Sequence, residues 1–115
     1  MIVTVSSRHM DVTAALKAYA LRKAGKLVRY YDRITEIEVI FSAGKPTLRV
    51  EMIVTAERKI RIVVHHDQAD GYACIDQCMG RMERQLSERK RKLRNRKHRI
   101  GTDKRAMRGA PPAGD

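Results

Sequence analysis

The chain has 115 residues, 25 of them lysine or arginine against 13 aspartate or glutamate, which leaves a formal charge of +12 and a pI near 10.3. That length bounds it to one domain with a modest core, and the charge excess points to a polyanionic partner. Two cysteines cannot build a disulfide framework, no apolar run is long enough to span a bilayer, and Met1–Val5 lacks the basic and apolar regions of an export signal, so a cytoplasmic location is expected.

In chain order, a short strand is expected at about Ile2 to Ser6, then a polar link through Arg8 and His9, where His9 is either an RNA contact or a capping group. A helix follows, capped by Asp11 or Thr13, with Val12, Leu16, Tyr19, Ala20, Ala24, Leu27 and Tyr31 at helical spacing. Its other face carries Lys17, Arg22, Lys23, Lys26 and Arg29. Beyond Asp32 the period drops to two. Ile37, Val39 and Phe41 alternate with Glu36, Glu38 and Ile40, and Leu48, Val50, Met52 and Val54 alternate with Arg49, Glu51 and Ile53. These read as two strands joined at Ser42–Pro46, followed by a turn near Ala56–Lys59 and a further strand from about Ile60 to His65.

From Asp70 to Arg99 the spacing predicts one long helix that changes character along its length. Met79, Met82 and Leu86 continue an apolar stripe that can dock on a core, whereas Arg89-Lys90-Arg91-Lys92-Leu93-Arg94 and the residues that follow form a cationic rod. Such a run repels itself unless it is solvated or matched by regularly spaced negative charge, and nucleic acid supplies that. A membrane surface is disfavoured because the helix lacks a Trp/Phe/Leu face to bury in headgroups. From Gly101 onward Gly, Pro and Ala dominate beside Lys104, Arg105 and Arg108, so residues 1–99 are expected to fold and 100–115 to form a disordered basic tail.

The order strand, helix, three strands, helix predicts an α+β two-layer sandwich, β-α-β-β-β-α, a four-stranded sheet with both helices on one face. The first two strands are expected to be parallel through a right-handed crossover and the hairpin-linked strands antiparallel.

Several segments together resemble the ribosome hibernation promoting factor and ribosome-associated translation inhibitor family, also called sigma-factor modulation proteins. The resemblance is carried by the opening strand with Val12-Thr13-Ala14-Ala15-Leu16, by Lys26-Leu27 and Tyr30-Tyr31, and by Asp70-Gly71-Tyr72-Ala73-Cys74-Ile75-Asp76 running into Met82-Glu83-Arg84-Gln85-Leu86. It covers roughly Met1 to Arg99, and the brevity of the remainder matches the family's short forms, which lack a C-terminal dimerisation domain. The resemblance implies binding to the small ribosomal subunit in the channel for messenger RNA and transfer RNA. Translation would be blocked sterically and idle ribosomes stabilised under stress or in stationary phase. It implies contact with 16S-type ribosomal RNA, competition with mRNA and tRNA, and no cofactor, membrane or small-molecule substrate. The matching basic positions are Lys23, Lys26, Arg81, Arg84, Lys90 and Lys92, and the cationic run adds Arg89 and Arg94. Two positions depart from the pattern: Glu88 stands where relatives often carry a basic residue, and Gly71 replaces a methionine.

Other readings weigh less. Cys74 and Cys78 with His65 and His66 would make a zinc set, but helical Cys-x-x-x-Cys is not the usual chelating knuckle, and small buried hydrophobes explain both cysteines. Tyr72, Tyr30 and Tyr31 would serve as stacking platforms for bases, although each falls on or beside an apolar stripe and fits packing better. A nuclease needs convergent carboxylates, whereas Glu36, Glu38 and Glu51 read as exposed strand positions opposed by basic residues. No phosphate loop or nucleophile elbow is present. The serious alternative is a general double-stranded RNA-binding module; a dimer seam along the second helix is disfavoured because Arg89 and Lys90 interrupt the stripe before Leu93.

Overall fold

In the computed structural model, which describes residues 1–44 and 46–102 and gives 95–102 as backbone only, the chain runs β1 (Ile2–Arg8), α1 (Ala14–Gly25), a 3₁₀ turn (Lys26–Arg29), β2 (Ile34–Ala43), β3 (Leu48–Ala56), β4 (Ile60–Gln68) and α2 (Gly71–Thr102). The sheet order is β1-β2-β3-β4, with β1 parallel to β2 and the two hairpins antiparallel, as the element order predicts. One core joins α1 and α2 to the inward row Ile37, Val39, Phe41, Val50, Met52, Val54, Ile62 and Val64, with Val3 and Val5 packed against it. Both helices therefore lie on one face, in an α+β two-layer sandwich.

Local chemistry explains the boundaries. Thr13, not Asp11, caps α1: its Oγ1 accepts from Leu16 N–H at 3.1 Å, satisfying one of the helix's free donors. The first helix was expected to run regularly to Tyr31, but the α-helix stops at Gly25 and tightens into the 3₁₀ turn, which still buries Leu27. Ile34 and Ile37 are both buried although they lie three positions apart, which in a regular strand puts them on opposite faces, and a bulge at Thr35 reconciles this. The extra residue resets the strand's phase, and the Thr35 hydroxyl donates to Thr55 C=O at 3.1 Å. Beyond Ala56, Arg58 and Lys59 turn the chain with φ of 68° and 62°, and Glu57 N–H donates to Arg33 C=O at 3.0 Å, tying this turn to the start of β2.

Helix α2 starts where Asp70 Oδ1 accepts from Tyr72 N–H at 3.0 Å. At Gly71 the two helices approach closely: a Cβ there would come within 2.8 Å of Leu16 Cδ2, and the Leu16 side chain would have to shift to admit it. Cys74, Ile75, Cys78, Met79, Met82 and Leu86 are buried. The stripe does not end there, because Leu93 also packs against the core, so the docked length exceeds the run up to Leu86. At about 1.5 Å per residue, α2 outreaches any strand beneath it, and the molecule measures 55 × 28 × 18 Å. The helix continues through Thr102, past the expected boundary at Arg99, and the rest of the expected tail lies outside the described residues.

Candidate nucleic-acid interface

The eight basic positions singled out from the sequence do not form one flat face. Lys23 is half-buried on α1, its Nζ 5.4 Å from the Tyr19 ring centroid, and Lys26 is exposed at the first position of the 3₁₀ turn. On α2, Arg81 lies along the β4 edge and spends a donor there: its Nη1 donates to His65 C=O at 2.8 Å, covering part of an edge strand's unpaired backbone. Arg84 is exposed and shares an open groove with Tyr30, Glu83, Glu88 and Arg91. Arg89 and Lys92 point toward the β3–β4 turn, where they line a groove with Arg58 and Ile60. Lys90 and Arg94 line a cleft of about 350 Å³ with Tyr31, Asp32, Arg33, Arg58 and Leu93.

The cationic half of α2 is thus ringed by positive charge rather than striped with it. Among the described residues the ion pairs are Arg33–Glu57 at 3.4 Å and Arg49–Asp67 at 2.7 Å, and none of the eight positions takes part in either. Glu88 interrupts the ring, lining both the outer groove and the groove at the β4 edge beside Arg81 and Arg84. Arg33 and Arg58 belong to the basic ring and were not found from the sequence. Arg58 lies far from α2 along the chain and joins it only because the β3–β4 hairpin ends beneath the helix.

The opposite face of the sheet has a different character. Glu36, Glu38 and Glu51 lie there, and the expected basic opposition holds for Glu51, which pairs with Ile40 and His65, but not for Glu36, which pairs with Ile2 and Thr55, or Glu38, which pairs with Thr4 and Ile53. This face is of mixed charge, with Arg8, Arg49 and Arg61 beside the carboxylates and with Val63 and Ile2 exposed, whereas the cationic run lies on the helical side. The Arg49–Asp67 pair at its end, joined by two hydrogen bonds of 2.7 and 3.1 Å, holds the Asp67 carboxyl below the usual carboxylate range.

The aromatic residues divide. Tyr31 is buried in the core, whereas Tyr30 and Tyr72 are exposed. Tyr72 meets Tyr19 edge to face at 5.0 Å, and Arg22 lies 5.2 Å from the Tyr19 centroid. The Tyr19 hydroxyl donates to Asp76 Oδ1 at 2.6 Å, and that bond raises the phenol above its ordinary value. The cysteines are core groups: Cys74 Sγ donates to His66 C=O at 3.0 Å and Cys78 Sγ to Val50 C=O at 3.4 Å. Burial pushes the Cys74 thiol up and the Cys78 thiol up to about 12, so both stay neutral. His66 turns instead to Gln68, with Nε2 and Oε1 2.9 Å apart. Among the described residues no three His, Cys, Asp or Glu side chains gather as a metal site would require, and no helix is long and apolar enough to cross a membrane.

Comparison with known proteins gives one consistent answer. Residues 3–94 match the model of the family described as sigma 54 modulation protein / S30EA ribosomal protein. The chain is 34% identical over 92 residues to a ribosome hibernation promoting factor of Azotobacter vinelandii, covering 80% of this chain and 85% of that one. Its fold is similar to a ribosomal subunit interface protein from Coxiella burnetii, with a TM-score of 0.73 and 26% identity over 78% of this chain and 98% of that one. It is also similar to the N-terminal domain of Protein Y from Thermus thermophilus, with a TM-score of 0.65 and 28% identity over 74% of this chain and 93% of that one.

Proposed function

Because this chain belongs to the sigma 54 modulation protein and S30EA ribosomal protein family, we propose that it is a ribosome hibernation factor that binds the small ribosomal subunit. It lies in the channel otherwise taken by messenger RNA and transfer RNA, blocks translation sterically and stabilises idle ribosomes, acting in the cytoplasm. The observation that carries this reading is the cationic half of α2. Its lysines and arginines have no acidic partner within ion-pair distance among the described residues, and they project in several directions from one rigid rod. A rod charged on several sides suits a crevice walled by phosphates better than a flat surface, where only one side would be matched.

In this reading Lys23 and Lys26 extend the contact from the first helical layer, Arg84, Arg89, Lys90, Lys92 and Arg94 match ribosomal RNA phosphates, and Arg81 contributes with the donors its His65 bond leaves over. The alternative, a general binder of RNA duplexes, calls for one face aligned along successive minor grooves, and the ringed arrangement argues against it. The test is binding to purified small subunits in competition with message and initiator transfer RNA, beside a long RNA duplex. Preference for the subunit and displacement by excess message and transfer RNA are expected. Equal affinity for the duplex, or no displacement at any excess, would overturn the channel-blocking reading.

A further inference from the structure

The cleft beneath the cationic half of α2 holds charge that the fold itself does not use. Three separate segments converge on it: Arg33 from the turn before β2, Arg58 from the β3–β4 turn, and Lys90 and Arg94 from α2, with Leu93 and Tyr31 as its apolar lining. Among the described residues Arg33 has a partner in Glu57 at 3.4 Å, and Arg58, Lys90 and Arg94 have none. Asp32 also lines the cleft and offsets one of these charges, leaving a positive excess.

Tyr31 supplies an independent observation. The residue is 3% exposed, and among the described residues its buried hydroxyl has no hydrogen-bond partner. A donor left unmatched beneath the surface is costly and is usually satisfied by something the folded chain does not contain. Here that donor belongs to the side chain lining the cationic cleft.

We propose that this cleft is a phosphate site, seating a backbone phosphate of the RNA that α2 lies against. Arg58, Lys90 and Arg94 match its charge, and the Tyr31 hydroxyl donates to one of its oxygens once the cleft is filled. The proposal rests on the small-subunit reading and carries the contact from the outer faces of the helices to the underside of α2 and the hairpin end. Guanidinium groups from different elements fit the several oxygens of a phosphate, which accept from more than one direction. Arg58 and Leu93 also line the neighbouring groove that holds Arg89 and Lys92, so cations continue along the helix as phosphates continue along a strand.

Three variants separate the outcomes. In Arg33→Gln/Arg58→Asn, asparagine tolerates the φ of 68° at position 58. Tyr31→Phe removes the hydroxyl alone, and Arg84→Glu/Lys92→Glu reports on the outer contact. The Arg33/Arg58 variant is expected to bind purified small subunits at least ~10-fold more weakly, with a salt dependence shallower by about 0.7–0.9 per lost contact. Tyr31→Phe should bind several-fold more weakly while its thermal midpoint holds or rises, which a merely structural tyrosine would not do. Inorganic pyrophosphate should shift the side-chain NMR signals of Arg58 and Arg94 in the wild-type protein.

If the Arg33/Arg58 variant binds like wild type while the outer variant fails, the phosphate site is wrong and the broader reading stands. Pyrophosphate shifts in a protein that does not bind subunits would overturn the RNA source and assign the cleft to a free phosphate compound. Absence of both overturns the site and the reading together.

Discussion

Between Gly71 and Leu86 helix α2 buries a side chain on nearly every turn, whereas from Ser87 to Arg94 only Leu93 reaches the core among the described residues. The first half is held by burial, at about 1.5–3 kcal/mol for each fully buried large side chain. The second half has little burial and must overcome repulsion between like charges three and four residues apart, such as Lys90 and Arg94. It remains helical because lysine and arginine are good helix formers and because an already formed helix needs no new nucleus. The docked half therefore acts as the foundation from which a charged rod, poorly supported by packing of its own, is presented.

The comparison breaks most sharply in the core. Met82 is fully buried beneath α2, so Met82→Ala should cost about 2–5 kcal/mol, read from urea unfolding, and should weaken ribosome binding only through the loss of folded protein. The converse change is Arg84→Glu with Lys92→Glu, both exposed. Reversing two charges at a phosphate-rich interface should lower affinity by about 100-fold, on the order of 3 kcal/mol, while the unfolding free energy changes by less than about 0.5 kcal/mol. Unchanged affinity at moderate salt would remove this half of the helix from the interface. A large stability loss would mean that the two halves are not separate in function.

Much of this division was legible in the sequence, because it is written in periodicity. The stripe of Cys74, Ile75, Cys78, Met79, Met82 and Leu86 follows helical spacing, and the alternation in β2 and β3 identifies their inner face before any pairing is known. Features that depend on approach through space were not legible. Leu93 looks stranded among cations and docks only because α2 passes over the end of the sheet. Arg81 reads as one more phosphate contact, yet it lies beside a free strand edge and bonds the His65 carbonyl. Arg33 and Arg58 are ordinary loop cations in sequence and become neighbours through the Glu57 backbone bond that joins the hairpin turn to β2. The bulge at Thr35 likewise leaves only the odd spacing of Ile34 and Ile37 as its trace.

A subtler consequence of the docked half concerns pH. The Cys78 thiol is held up to about 12 by burial, above the ordinary thiol value that the unfolded chain would show. A folded value raised above the unfolded one gives a contribution that is complete below the unfolded value. It is lost as pH climbs toward the folded value, because the unfolded chain ionises first and is favoured by doing so. Between about pH 9 and 11 the loss is bounded at about 1.4 kcal/mol per pH unit, and relaxation around the sulfur will make it smaller. Cys78→Ala removes this thiol and leaves the smaller contribution of Cys74, which burial also raises. Its stability should therefore fall less steeply than wild type over that range, as measured by urea midpoints at fixed ionic strength. At neutral pH the native thiol should also react with iodoacetamide no faster than the protein opens. Parallel pH curves for the two proteins, or rapid alkylation without unfolding, would mean that the underside of α2 admits water at Cys78 and that the docked half is looser than its packing implies.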